Sequence, residues 1–92
     1  MKKKPSWIYF ESVSAPRLKT ETWRVCSTAD RSILGWIRWF GHWRGYSFFP
    51  EYETVFERTC LRDIANFIER ENKERREMRK NIRMLKELRV KQ

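Results

Sequence analysis

Glycine, proline, cysteine and histidine are all scarce, at three, three, two and one among 92 residues, and the only aspartates are Asp30 and Asp63. No glycine-rich loop can cradle a phosphate. Catalysis needs convergent titratable groups, and the single histidine, His42, has no carboxylate placed near it by the sequence. Cys26 and Cys60 stand 34 positions apart, which excludes both CxxC redox chemistry and the ligand spacings of zinc sites. The expectation is a protein that is not an enzyme, with no catalytic or metal residues, no cofactor and no small-molecule substrate. Both cysteines read as buried thiols in a reducing cytoplasm. No apolar stretch approaches the roughly 18 residues of a membrane span. The basic start, MKKKPSWIYFES, continues into an apolar run of only Trp7 to Phe10, too short for a signal peptide.

Positive charge and aromatic rings are abundant. Lys and Arg number 21 against 12 Asp and Glu, for a net charge of +9, and five of the 14 aromatic residues are tryptophan. A chain of this length holds one small core. Its 40% hydrophobic content argues against disorder throughout. A surplus of cations favours a polyanionic partner, because each Lys or Arg that neutralises a phosphate releases a condensed counterion.

Thirteen of the 14 aromatics precede residue 57, and the hydrophobic period changes at the same place. Residues 7 to 13 (WIYFESV) and 20 to 28 (TETWRVCST) read as strands, separated by the breakers Ser14, Ala15 and Pro16. After a polar turn at Ala29 to Ser32, residues 33 to 40 alternate Ile33, Gly35, Ile37 and Trp39 on one face with Leu34, Trp36, Arg38 and Phe40 on the other. Gly41 and Gly45 frame a hairpin connection. Residues 46 to 50 return as a strand that Pro50 ends or confines to an edge, and a short extended piece around Thr54 to Phe56 is expected to follow. From Thr59, read as an N-cap, Leu61, Ile64, Ala65 and Ile68 recur at helical spacing. Without Gly or Pro up to Gln92 this helix can run for about 50 Å. The expected architecture is α+β: residues 1–58 form an antiparallel sheet of three to four strands, and residues 59–92 a long C-terminal helix. The first turns of that helix cover one sheet face while its basic end projects from the single domain.

Two constellations are candidates for binding. In the first, Trp36, Trp39, Trp43, Tyr46 and Phe48 alternate with Arg38 and Arg44. Bases stack on such rings while arginine holds phosphates; Trp36, Trp43 or Tyr46 is expected exposed for stacking, with Arg38, Arg44 and the arginines of the helix end on phosphates. One helix covers one face of a sheet, so at least half of the rings belong to the core, and the remainder form an exposed platform or meet a second protein layer. The second constellation is the helix end, where Arg75, Arg76, Arg79, Lys80, Arg83 and Lys86 occupy adjoining faces that could follow a phosphate backbone. Glu69 with Lys73, Glu71 with Arg75 and Glu87 with Lys91 are spaced as i,i+4 pairs that support a solvated helix. Met78, Ile82 and Leu85 make a thin apolar seam suited to a homodimer contact. Residues 1–58 carry a charge of +4 and residues 59–92 carry +5, so rings and dense charge fall on two separate surfaces.

The stretch LGWIRWFGHWRGYSFFP (34–50) followed by TVFERTCLRDIANFIE (54–69) resembles small hypothetical proteins of phages and prophage-like elements. Their pattern reads LGxIxWxxxWRxYxFFP, then CLxxIAxFI. Leu34, Gly35, Ile37, Trp39, Trp43, Arg44, Tyr46, Phe48, Phe49 and Pro50 carry it, with Cys60, Leu61, Ile64, Ala65, Phe67 and Ile68. The resemblance implies a mobile-element origin and supplies no mechanism. It makes a partner among nucleic acids, DNA or RNA, the leading expectation. A host nucleoprotein, such as a CRISPR effector or another defence nuclease that the protein would modulate, is the alternative.

Overall fold

The computed structural model describes residues 6–13 and 19–90; the breakers at 14–16 and the Glu87–Lys91 pairing lie wholly or partly outside them. Four strands, β1 (Ile8–Ser12), β2 (Trp23–Ser27), β3 (Ile33–Phe40) and β4 (Gly45–Pro50), form an antiparallel sheet in the order β1-β2-β3-β4. One helix, α1 (Arg58–Val90), runs for 33 residues. The α+β class is as expected. Strand β3 has the expected bounds, β4 is an edge strand ending on Pro50, and Thr54 to Phe56 is not a strand.

Strand alternation divides the rings between two faces. Ile8, Trp23, Val25, Ile37 and Tyr46 are buried on the face that α1 covers, and the helix adds Cys60, Ile64 and Phe67. Phe10, Trp39 and Phe48 complete that layer as half-buried residues. The ring of Phe67 stacks on Phe10 at 4.1 Å and meets the Trp23 ring edge-on at 5.0 Å, so a single helical side chain packs against two strands. A bulge between Val25 and Cys26 shifts the β2–β3 register, so that Gly35 faces Val25 and Ile33 faces Cys26. Beyond it Ile33 is 40% exposed, while Leu34 packs on the core. Cys26 and Cys60 are free and buried, and burial raises the pKa of Cys60.

Three features of the helix differ from the sequence reading. Its cap is Glu57 rather than Thr59: a Glu57 carboxylate oxygen accepts the Cys60 amide at 2.6 Å. Hydrogen bonds from the backbone of Thr59 and Cys60 hold the Glu57 carboxyl below its ordinary pKa, as expected for an anion at a helix N-terminus. The covered stripe is Cys60, Ile64, Phe67 and Ile68, whereas Leu61 is half exposed and Ala65 is exposed. Ile64 and Ile68 face the sheet as expected, but Cys60 and Phe67 take the places expected of Leu61 and Ala65. Cover also extends beyond the first turns, since Glu71, Asn72 and Arg75 remain half-buried.

The β3–β4 connection, residues 41–44, closes with the Trp43 amide donating to the Phe40 carbonyl and the Arg44 amide to the Gly41 carbonyl, both at 3.2 Å. Arg44, at φ 50°, takes the left-handed conformation; neither flanking glycine does.

Gly35 is needed for space. A Cβ there would lie 2.5 Å from the Phe48 ring and 2.7 Å from the Phe49 carbonyl oxygen, and the carbonyl is backbone that cannot swing aside. Gly35→Ala is therefore expected to cost about 1–3 kcal/mol, the usual range for overpacking, measured by urea denaturation; an unchanged midpoint would contradict this packing.

Candidate nucleic-acid interface

Helix α1 outruns the sheet, and at the point where it leaves, its polar side chains meet the end of the β3–β4 hairpin. Arg75 lies over the Trp39 ring, its guanidinium carbon 4.3 Å from the centroid, and donates a hydrogen bond to the Lys19 carbonyl at 3.0 Å. The Tyr46 ring meets the other side of the junction, edge-on to Trp39 at 5.4 Å. One turn earlier, Asn72 accepts the Tyr46 amide at 2.9 Å, which satisfies an outward-facing donor of the edge strand. Gly45 lies beside this contact, and a Cβ on it would stand in ordinary van der Waals contact with the Asn72 amide, at 3.4 Å.

These contacts fix a notch of about 520 Å³ lined by Trp39, Arg44, Asn72, Arg75, Arg76 and Arg79. Four arginines line it, one from the β3–β4 turn and three from α1, and no acidic residue does. Arg44 reaches it from the turn because its left-handed backbone reverses the chain. Arg76 and Arg79 occupy successive exposed turns of the helix, and Arg83 and Lys86 continue the same stripe at helical spacing along the projecting end, with Lys80 beside it. Four like charges in one hollow form a focused positive potential suited to phosphate oxygens.

The expected Glu71–Arg75 pairing is replaced. Arg75 is engaged by Trp39 and Lys19, and Glu71 has its carboxyl pKa raised, first by burial and then by Glu74, with Arg70 acting in the opposite direction. One ring joins the dense charge: Arg75, Arg76 and Arg79 share the notch with Trp39 and Arg44. Sequence spacing could not reveal that contact, because it joins residues more than 30 positions apart.

The remaining predicted residues are distributed as follows. Tyr46 is only 8% exposed, and its hydroxyl accepts the Glu21 amide at 3.2 Å. Its ring packs against both Trp23 and Trp39, so it belongs to the core and leaves the set of stacking residues. Trp36, Arg38 and Trp43 lie on or at the end of the sheet face opposite the helix. Met78, Ile82 and Leu85 are exposed. They follow Cys60, Ile64 and Phe67 by 18 positions, five helical turns, and therefore prolong the core-facing stripe past the sheet. Asn72 is the notch residue that the spacing did not single out, and Trp39, a member of the aromatic constellation, was not among its expected stacking residues. Trp39 was legible as an aromatic of β3, but Asn72, between Glu71 and Lys73, carried no sequence signal. Among the described residues, no group of three His, Cys, Asp or Glu side chains could hold a metal, and no helix is long and apolar enough to cross a membrane.

No protein-family model matches the chain, and no solved structure matches it. It is similar to an uncharacterized 9.3 kDa protein of Acholeplasma phage L2, at 29% identity over 75 residues that cover 82% of this chain and 96% of the relative. That similarity is consistent with a small protein of phage type.

The junction can be tested without any ligand. Asn72→Ala leaves the Tyr46 amide without its acceptor in a half-buried place, and urea denaturation is expected to show a loss of about 1–3 kcal/mol. A loss below a few tenths would mean that the helix does not depend on this bond.

Proposed function

We propose that the protein is a non-enzymatic nucleic-acid-binding protein of a phage or related mobile element, acting in the cytoplasm of the bacterial host. The observation that carries this reading is the convergence of Arg44, Arg75, Arg76 and Arg79 on one notch beside Trp39. Each guanidinium there has donors suited to phosphate oxygens. Trp39 acts as a floor rather than a stacking surface, since Arg75 occupies its face. The stripe through Arg83 and Lys86 would extend the phosphate track along the projecting helix. The net charge of +9 favours capture of any polyanion from a distance.

Fluorescence anisotropy with a labelled mixed-sequence oligonucleotide, titrated across salt, tests the reading. The logarithm of affinity should fall linearly with the logarithm of salt concentration, by about 0.7 per phosphate neutralised on a single strand. Arg76→Gln combined with Arg79→Gln should weaken binding and flatten that slope by about 1.4. The reading fails if no binding occurs at low salt, or if the double variant retains the full slope.

The prolonged stripe favours a second reading, in which protein covers Met78, Ile82 and Leu85. The most direct cover is a second copy of this chain, and a host nucleoprotein bound and modulated through the same surface is its extension. Light scattering of the full chain should then give a dimer mass that Leu85→Asp reduces to that of a monomer. A monomeric mass for the unsubstituted chain would remove the homodimer.

A further inference from the structure

We infer that the sheet face opposite the helix is a stacking platform for unpaired bases, so that the preferred ligand is single-stranded nucleic acid draped over the β3–β4 turn. This rests on the nucleic-acid reading of the notch. Strand β3 directs Trp36, Arg38 and Phe40 away from the helix, and their cross-strand partners on β4 are Phe49, Ser47 and Gly45. Two of those partners are small, and the small side chains leave room. Opposite Ser47, Arg38 swings over the Phe49 ring, 4.3 Å from its centroid. Opposite Gly45, the Phe40 ring meets Trp43 edge-on at 5.1 Å, and Phe40 also neighbours Phe49 at 6.1 Å. Trp43 is 77% exposed, so most of its ring surface is open to solvent.

Charge complementarity selects the occupant. Among the described residues, Glu11 is paired with Arg24, and Glu51, which keeps its charge while accepting the Trp36 indole N–H at 2.6 Å, follows Pro50 at the end of β4 remote from the turn. The cation left exposed among the rings is Arg38. A face of aromatic rings with a positive residue suits a chain that is apolar in its bases and anionic in its backbone. A duplex presents its bases already stacked and edge-on, so only unpaired bases can lie flat on such rings.

The turn joins this platform to the notch. Trp43 and Arg44 are consecutive, yet Trp43 packs on Phe40 at the uncovered face while Arg44 lines the notch on the helix side. A strand crossing the turn can therefore place a base on Trp43 and the adjoining phosphates among Arg44, Arg75, Arg76 and Arg79. The helix side supplies charge without an open ring, and the far side supplies open rings with little free charge. Only a ligand with both groups at nucleotide spacing uses both.

The test compares a labelled oligothymidine with a hairpin duplex of equal phosphate number, using the full chain and Trp43→Ala. Trp43 is exposed, so the variant should keep the fold, which an unchanged thermal melt checks. The unsubstituted chain should bind the single strand more tightly than the duplex, and Trp43→Ala should weaken single-strand binding at least about fivefold, the lower end of a base–aromatic stack. Duplex binding should not change. Equal affinity for the two probes, or single-strand binding that Trp43→Ala leaves intact while Arg76→Gln with Arg79→Gln weakens it, overturns the platform and leaves the notch standing. In that case the aromatic face is left to a protein layer. Absence of binding to either probe defeats both readings together.

Discussion

The stack of the Arg75 guanidinium on the Trp39 ring, 4.3 Å from its centroid, is the interaction on which the candidate site depends. Up to Phe67 and Ile68 the helix is held by apolar burial against the sheet. Beyond them it carries Glu71, Asn72 and Arg75, which would ordinarily free it into solvent. Asn72 instead satisfies a β4 amide, and the hydrocarbon stem and planar head of Arg75 cover a tryptophan. The helix is thereby held against the hairpin end for about two further turns. Arg76 and Arg79 are carried into the same hollow as Arg44, and the rest of the helix projects from that anchor.

A four-stranded sheet with one helix has a second face to account for. Burial of Ile37 and Val25, both fully enclosed, shows that the covered layer is a well-packed core. The opposite face is not the charged surface that an antiparallel sheet commonly shows to solvent. It presents Trp36, Phe40, Phe49 and Trp43 instead, with Arg38 among them. The left-handed residue Arg44 lets one short turn serve both layers, since its neighbour Trp43 stays with the uncovered rings.

Much of the fold was legible because the chain uses two clean hydrophobic periods. The bounds of strand β3 are legible because ILGWIRWF is an eight-residue β-branched and aromatic run framed by the polar turn at Ala29 to Ser32 and by Gly41, and the single change of period near residue 57 locates the helix. The sequence reading failed where a side chain departs from the usual chemistry of its type. Glu57 took the capping position assigned to Thr59, and Cys60 and Phe67 took the buried stripe assigned to Leu61 and Ala65. Tyr46 was placed with the exposed rings because strand parity alone does not say which face a helix will cover. The site was legible in its arginines but not in its assembly. Arg75, Arg76 and Arg79 read as a solvated tail, and only tertiary contact through Trp39 and Asn72 joins them to Arg44.

The five tryptophans provide internal reporters, because each occupies a different environment. Trp23 is in the core, Trp39 floors the notch, Trp36 and Trp43 are at the uncovered face, and Trp7 stands exposed before β1. The most direct measurement is a two-dimensional ¹H–¹⁵N spectrum of the full chain titrated with a single-stranded oligonucleotide at low salt. Shifts should concentrate at the Trp39 and Trp43 indole N–H groups and at the backbone amides of Arg44, Asn72 and Arg76, while the Trp23 indole stays in place. Shifts absent from these positions, or confined to the projecting helix beyond Arg79, would contradict the account.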